Sequence, residues 1–192
     1  MPIYETLGLI PLSMQNTQLT HQQHQANKNQ FALCLLANDM RSAANVGGLF
    51  RLADALGAEI IYLTGESVVP PNRDLKKASR STVNSVPYQY RQDATQLVSD
   101  LKKSGYKILS LEITSSSIDL TQLSLTQHDK VCLILGSENH GVNQALLDQS
   151  DNTVHISMQG SNSSMNVVTA CAIASYQITR QLMPIATADT NH

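Results

Sequence analysis

From Phe31 onward, short apolar runs typical of buried strands alternate with segments that carry apolar residues at helical spacing. Neighbouring parallel strands require a crossover, usually a helix, so this alternation predicts an α/β fold with a mostly parallel sheet flanked by helices. At 192 residues, the chain is long enough for one such domain with a full core. The predicted strands are 31–37, 58–64, 106–112, 130–136 and 153–157.

The predicted helices lie between these strands. The first is apolar at every third or fourth position and ends at Gly57, a residue type that commonly terminates helices. The stretch 67–90 is predicted to be mostly loop because three prolines interrupt it. The other predicted helices are a short one near 74–78, one from the N-cap Asp93 to Gly105, a short one from Asn143, and a last one from about Ser164 to Leu182, before Pro184.

The first 30 residues differ in composition from the rest of the chain. The segment 15–30 is rich in Gln, Asn and His and has almost no apolar periodicity, so burial cannot offset the entropy lost on ordering it. We expect residues 1–30 to form a polar, flexible arm, followed by one domain over 31–192 that ends in a short tail. His21 and His24 have the spacing of a metal-binding pair on one helical face, but no third ligand follows nearby, and we predict no metal site.

The apolar residues do not suggest a membrane protein. No apolar run approaches the length needed to cross a bilayer, and no basic and apolar leader follows Met1. We therefore expect a soluble, cytoplasmic protein with no membrane partner. Cys34, Cys132 and Cys171 are widely spaced and embedded in apolar runs, which predicts small buried side chains rather than metal ligands or nucleophiles.

The charge is unevenly distributed along the chain. The formal net charge of −2 argues against indiscriminate nucleic-acid binding, which requires clustered Lys and Arg. Between Arg73 and Lys107, however, eight basic residues stand against three acidic ones, whereas two basic residues face seven acidic ones from Ile108 onward. A positive face beside a site is typical of polyanion binding. Two helices with ordinary solvated Lys and Arg side chains would give the same pattern.

Three segments carry glycines and polar residues that an ordinary core does not need. They are 38–57, 135–142 and 156–166, and each includes or follows the end of a predicted strand. Ligands of α/β sheets bind beyond the carboxyl ends of strands, so we expect the three segments to converge on one ligand site. Their candidate polar side chains are Asn45, Arg51, Glu138, Ser164 and Asn166.

Two of these side chains have alternative interpretations. Arg51 offers a planar fork suited to phosphate or carboxylate, but it could instead form a surface salt bridge. Glu138 could orient a cation or accept a proton, or it could assist the N-cap of the helix at Asn143. The sequence has no Walker A, HExxH, GxSxG or GxGxxG pattern, which disfavours the usual phosphate cradles, zinc hydrolysis and elbow-serine catalysis.

The sequences AANVGGLFRLADALGA, LILGSENHGV and HISMQGSNSSMNVVTACAIASY resemble, in this order, the three motifs of the SpoU or TrmH-like branch of the SPOUT RNA methyltransferases. The resemblance covers residues 31–183. It implies that the C-terminal part of the α/β domain forms a trefoil knot, an exception to the rule that protein chains are unknotted. It also implies a homodimer, S-adenosyl-L-methionine (AdoMet) bound in the knot, and methyl transfer to a ribose 2′-hydroxyl of tRNA or rRNA.

The resemblance further implies roles for individual residues. Asn45, Arg51, Glu138, Ser164 and Asn166 match the polar positions of the three motifs and are the candidate catalytic residues. The positions that hold AdoMet mainly through backbone groups correspond to Gly136, Ile156 and Met165, with Leu111 bordering the same pocket. The third motif usually has Leu where this chain has Met165, a near volume-conserving exchange that should preserve a backbone contact.

Family proposals assign the role of base to the arginine that matches Arg51. A guanidinium pKa above about 12 leaves almost no neutral form at neutral pH. We therefore interpret Arg51 as a clamp on the target phosphate and hydroxyl, with proton loss assisted by that phosphate or by solvent.

RNA recognition is expected to fall on the surface of the dimer, because the N-terminal arm has Lys28 as its single basic residue. Arg41, Lys76, Lys77 and Arg80 are predicted to contact RNA phosphates, and no DNA partner is expected. Two alternative functions remain at this point. One is a catalytically idle knotted protein that binds RNA as an assembly factor, and the other is an α/β domain for a small nucleotide, which the missing phosphate loop disfavours.

Overall fold

The computed structural model describes residues 17–18, 20, 29–162 and 164–185. Most of the predicted arm, including His21 and His24, lies outside the described residues. The strands are β1 (Phe31–Asn38), β2 (Ala58–Thr64), β3 (Tyr88–Arg91), β4 (Tyr106–Leu111), β5 (Ile118–Asp119), β6 (Lys130–Leu135) and β7 (Asn152–His155). The helices are α1 (Ala43–Leu56), α2 (Arg73–Ser79), α3 (Ala94–Lys103), α4 (Gln144–Leu147) and α5 (Val167–Thr179), with two 3₁₀ turns at Thr82–Asn84 and Leu120–Gln122.

All seven strands belong to one sheet in the order β3-β2-β1-β6-β4-β7-β5, and all six neighbouring pairs are parallel. The predicted parallel α/β architecture is therefore confirmed. Because the strands are parallel, their carboxyl ends all meet at the same edge of the sheet, where the loops that follow them can form a common site. The threading that a trefoil knot requires stays a prediction.

The predicted strands and helices are confirmed, with boundary shifts and two additions. Strands β3 and β5 were not predicted, because β3 is exposed at every residue and follows a proline, while β5 has only two residues. The last helix begins at Val167 instead of Ser164, since the Asn166 side chain accepts from the backbone N–H groups of Val168 and Thr169 and so caps α5. Ser164 and Met165 consequently precede the helix.

The core consists of two layers on opposite faces of the sheet. Successive residues of β1 point to opposite faces, so that Leu33 and Leu35 pack in one layer and Cys34 and Leu36 in the other. Helices α1, α2 and α5 cover the first face, and α3 and α4 cover the second. Within the described segments, no helix has the length and hydrophobicity needed to cross a bilayer.

The three cysteines lie in this core. Cys34, Cys132 and Cys171 are fully buried and free of disulfides, which confirms the interpretation of their apolar surroundings. Burial raises the pKa of the Cys34 thiol well above its usual range and raises the pKa of Cys171 to about 12. The reactive thiolate form is therefore disfavoured at both positions.

Helix α1 contacts α2 through Gly47 and α5 through Gly48. A Cβ at Gly47 would lie 2.5 Å from the Cβ of Ala78 and 2.9 Å from the backbone nitrogen of Ser79, whereas the atoms nearest to a Cβ at Gly48 belong to the Val168 side chain, at 3.1 Å. The atoms that a Cβ at Gly47 would meet include backbone atoms of α2, so relieving the contact requires the whole helix to shift.

We expect Gly47→Ala to destabilise the protein by about 1–3 kcal/mol through overpacking, despite the better helix propensity of Ala. Gly48→Ala is the matched control, because the Val168 side chain can shift and the helix-propensity gain offsets the contact. Urea unfolding of both variants measures the difference. Equal unfolding midpoints for Gly47→Ala and the wild type would contradict this description of the α1–α2 contact.

Candidate functional site

A cavity of about 400 Å³ lies at the carboxyl ends of β4, β6 and β7. Four of its lining residues, Leu111, Gly136, Ile156 and Met165, are those predicted to border the cofactor. Four others, Asn45, Glu138, Ser164 and Asn166, are predicted catalytic residues. The structure thus brings together all three segments that the sequence singles out, at the edge of the sheet where parallel α/β folds bind ligands.

The loop after β6 forms a tight turn along one wall of this cavity. Ser137 and Gly141 exchange two backbone hydrogen bonds, of 3.1 and 3.0 Å, and Gly141 has a φ of +64°, which favours glycine. A Cβ at Gly136 would lie 1.9 Å from the carbonyl carbon of Gly141. Glycine at position 136 is therefore required for the turn to close onto the end of the strand.

Three polar side chains connect the segments across the cavity wall. Asn45 donates through Nδ2 to Oε1 of Glu138 at 2.9 Å, and Asn166 donates through Nδ2 to Oδ1 of Asn45 at 3.0 Å. Each segment supplies one member of this chain of hydrogen bonds. Because both ends of the Asn45 amide are bonded, its orientation beside the cavity is defined.

The starts of two helices hold this network in place. Ser42 caps α1, and its backbone N–H donates to Oε1 of Glu138 at 3.2 Å, so that a carboxylate lies at the positive end of α1. Asn166 caps α5 through Oδ1 while its Nδ2 reaches Asn45. The alternative role of Glu138 at the next helix is not observed, since Asn143 itself accepts from the backbone of Leu146 and caps α4.

Arg51 lies apart from this network, on α1. It is exposed and does not line the cavity. Within the described part of the chain it forms no ion pair, so the alternative of a surface salt bridge is not observed there. Its guanidinium is available to a ligand that approaches from outside the cavity.

The basic residues predicted to bind RNA lie in the loop after β1 and on or at the end of α2. Arg41 is exposed in the loop after β1 and forms an ion pair with Glu66. Lys76 and Lys77 are exposed on α2, and Arg80 is the residue that ends this helix. Arg80 has a φ of +55°, an uncommon conformation for a non-glycine residue and one that recurs at functional sites.

Among the polar residues that line the cavity, Glu112 and His155 lie outside the three predicted segments and were missed by sequence reasoning. Glu112 accepts from the backbone N–H groups of Ile113 at 2.9 Å and Val142 at 3.0 Å, and so connects the loop after β4 to the loop after β6. His155 lies 3.0 Å, through Nδ1, from the hydroxyl of Ser117. Both residues lie at the carboxyl end of a strand, the same signal that identified the other candidates.

The carboxylate of Asp119 lies on β5, next to His155 of β7. Ser157 donates its hydroxyl to Asp119, and Thr121 donates to it through both its backbone N–H and its hydroxyl, which holds the pKa of the Asp119 carboxyl well below its usual range. Asp119 is therefore ionised at neutral pH. Among the described residues, no group of three or more His, Cys, Asp and Glu side chains is placed to bind a metal ion.

The fold and the cavity together define an α/β protein with a small-molecule site at the carboxyl edge of a parallel sheet. More specifically, the chain belongs to the SpoU rRNA methylase family, whose sequence model matches residues 32–176.

Individual relatives agree with this assignment. An uncharacterized tRNA/rRNA methyltransferase of Mycobacterium tuberculosis is 30% identical over 137 residues, which are 71% of this chain and 48% of the relative. The chain therefore spans about half the length of this relative.

Solved structures show the same fold. An rRNA methyltransferase from Sinorhizobium meliloti superimposes with a TM-score of 0.73 and 22% identity, over 81% of this chain and 59% of that one. The SpoU methyltransferase AviRb from Streptomyces viridochromogenes, in complex with the cofactor AdoMet, superimposes with a TM-score of 0.69 and 26% identity, over 80% of this chain and 58% of AviRb.

Proposed function

We propose that this protein is a cytoplasmic, AdoMet-dependent methyltransferase that acts on a ribose 2′-hydroxyl of tRNA or rRNA. The observation that carries the proposal is the hydrogen-bonded chain Glu138–Asn45–Asn166, which joins the three family motifs along one cavity. A protein that only binds RNA has no evident need for these polar residues around a small-molecule cavity. The complex of AviRb with AdoMet supports the choice of cofactor.

The cavity fits AdoMet in size and chemistry. Its volume of about 400 Å³ lies in the range of small-molecule sites. Leu111, Ile156 and Met165 offer apolar surface for an adenine ring, and the turn that starts at Gly136 offers backbone groups for the polar atoms. These four residues are the ones that we expect to hold the cofactor.

When bound, AdoMet supplies an electrophilic methyl group on a positively charged sulfur. The residues of this chain have the task of placing the acceptor, since orientation alone contributes much of the rate of such a transfer. The fixed Asn45 amide and the exposed Ser164 hydroxyl line the cavity and are available to position the ribose. Glu138 and Asn166 act through Asn45, because each binds one end of its amide.

Arg51 has a different part in the proposal. It is exposed on α1 and lies outside the cavity lining, so we assign it to the RNA and not to the cofactor. Its guanidinium can bind the target phosphate with two hydrogen bonds and so hold the hydroxyl in line with the methyl group. The proton of the hydroxyl leaves to that phosphate or to solvent, because a guanidinium group is too weak a base to accept it at neutral pH.

Isothermal titration calorimetry with AdoMet separates this proposal from that of an idle RNA-binding assembly factor. We expect AdoMet to bind with one site per chain. No detectable binding under conditions where the protein is folded would favour the assembly factor.

The proposal places RNA phosphates against Arg41, Lys76, Lys77 and Arg80. We expect a triple charge reversal of Lys76, Lys77 and Arg80 to weaken RNA binding and to reduce the slope of log K against log salt by about 2–3, because each lost phosphate contact removes about 0.7–0.9. Lys103→Glu on α3, the helix that covers the other face of the sheet, is the matched control. An unchanged affinity and salt slope in the triple variant would remove these residues from the RNA surface.

A homodimer is also part of the proposal. Helix α5 exposes Ile173 and Tyr176, 42% and 59% accessible, beside an apolar groove that includes Leu120 and Ala172. Large exposed apolar side chains on one helix suit burial against a second copy. We expect the wild type to sediment as a dimer and an Ile173→Asp/Tyr176→Asp variant as a monomer. A wild type that remains monomeric at high micromolar concentration would contradict this expectation.

A further inference from the structure

The edge strand β3 (Tyr88–Arg91) has a composition that core formation does not explain. It pairs with β2 alone, and all four of its side chains are exposed. Tyr88 is 37% and Tyr90 is 44% accessible. Of the three aromatic side chains that are exposed in the described part of the chain, two therefore lie on this four-residue strand.

Both tyrosine rings are held in place by neighbouring residues. The Tyr88 ring packs edge-on against the ring of Phe50 in α1, with centroids 5.6 Å apart and planes at 77°. The hydroxyl of Tyr90 donates to the carbonyl of Gly65 at 3.0 Å. Rings that are fixed before binding lose little conformational entropy when a ligand stacks on them.

A continuous set of contacts links Tyr90 to the cavity along the carboxyl edge of the sheet. Gly65 follows β2 and touches Asp39 of the loop after β1, and the backbone N–H of Glu66 donates to Oδ1 of Asp39 at 2.9 Å. In that loop, Ser42 donates to Glu138 on the cavity wall. In the sheet order, three strand spacings separate β3 from β6, or about 14 Å at about 4.8 Å each.

The segment that precedes β3 and the end of β3 itself are rich in basic residues. Arg91 ends β3 and forms no ion pair within the described residues, and the same is true of Lys76, Lys77 and Arg80 on the segment that precedes β3. By contrast, the chain beyond Ile108, which supplies the opposite half of the sheet, has an excess of acidic residues. Exposed aromatic rings combined with unpaired cations are the features by which proteins bind single-stranded nucleic acid.

We propose that Tyr88 and Tyr90, which lie on one face of β3, form a platform on which unpaired RNA bases next to the methylated nucleotide stack, and that Arg91, on the opposite face at the carboxyl end of the strand, binds a phosphate at this edge. This inference rests on the proposed function, because it assigns a path to the RNA whose target ribose enters the cavity. It also gives that path a direction: the RNA runs from the cavity across the loops after β1 and β2 to β3, and not toward β5.

The platform is tested by measuring RNA affinity of the full chain in the presence of AdoMet. The RNA probes are total tRNA and a mixture of rRNA fragments. We expect Tyr90→Leu and Tyr88→Leu each to weaken binding about tenfold, at an unchanged salt slope, because stacking is largely independent of salt. Tyr90→Phe keeps the ring but loses the hydroxyl that binds Gly65, so its RNA affinity should lie between those of the wild type and Tyr90→Leu. Arg91→Gln should reduce the salt slope by about 0.7, whereas the control Lys103→Gln should not.

The variants leave the cavity intact, so AdoMet affinity and kcat at saturating RNA should stay at wild-type values while KM for RNA rises. Wild-type RNA affinity in both tyrosine-to-leucine variants and in Arg91→Gln, with methyl transfer intact, would overturn the platform and leave the proposed function standing. Absence of RNA binding and methyl transfer in the wild type would overturn both. Loss of self-association at unchanged RNA binding would assign β3 to a protein contact and overturn the platform.

Discussion

Replacement of Arg51 by Ala is expected to reduce methyl transfer about 100- to 1,000-fold while leaving AdoMet binding unchanged. The size follows from the loss of a charged donor that acts in the transition state. AdoMet binding should be unaffected because Arg51 is exposed on α1 and does not line the cavity. Single-turnover kinetics with labelled AdoMet, together with calorimetry, measure both quantities.

Two further variants show whether Arg51 acts as a clamp. Arg51→Lys keeps the charge but not the planar fork, so we expect most of the loss to remain. Lys103→Ala removes an exposed cation from α3 and should leave turnover unchanged. Near-normal turnover of Arg51→Lys across the pH range would argue against the clamp.

Gly136→Ala is expected to abolish measurable AdoMet binding. The added Cβ would lie 1.9 Å from the carbonyl carbon of Gly141 and 2.2 Å from the backbone nitrogen of Val142, distances at which the backbone must move. The turn from Ser137 to Gly141 forms one wall of the cavity, so its displacement changes the surface that the cofactor contacts. Calorimetry measures the loss, and circular dichroism shows whether the sheet is retained.

Gly160→Ala is the matched control for this substitution. Gly160 lies in the third segment, but it does not line the cavity, and a Cβ there would meet nothing within 4 Å. We expect this variant to bind AdoMet like the wild type. Wild-type AdoMet affinity in Gly136→Ala would mean that the turn after β6 is not part of the cofactor site.

The sequence predicted best those elements whose residue types are typical of a single structural environment, such as a buried strand or a helix cap. Buried strands such as Lys130–Leu135 appear as uninterrupted apolar runs, and Asp93 and Asn143 are observed as the helix caps that their residue types indicate. Convergence of the three polar segments was also predictable, because parallel strands end at one edge of the sheet. The structure adds the individual contacts, such as the bond between Asn45 and Asn166, which are 121 positions apart.

Other features have no local signal in the sequence. Strand β3 pairs with β2 through its backbone and buries none of its side chains, so no hydrophobic period marks it. In the sequence, Glu112 looks like an ordinary polar residue at the end of a strand. Its hydrogen bond with the backbone N–H of Val142 depends on how the loops after β4 and β6 meet in space. The start of α5 at Val167 depends on Asn166, which caps the helix in place of the nearby Ser164.

The most direct measurement for the whole account is mass spectrometry of nucleosides from RNA that has been incubated with the purified protein and methyl-labelled AdoMet. Total RNA from cells that lack the protein is the substrate, so that the target sites are unmethylated. We predict label on the ribose, as a 2′-O-methylnucleoside, in the wild-type reaction and its absence in the Arg51→Ala reaction. Label on a base, or no label although AdoMet and RNA both bind, would contradict the assignment of this cavity to ribose methylation.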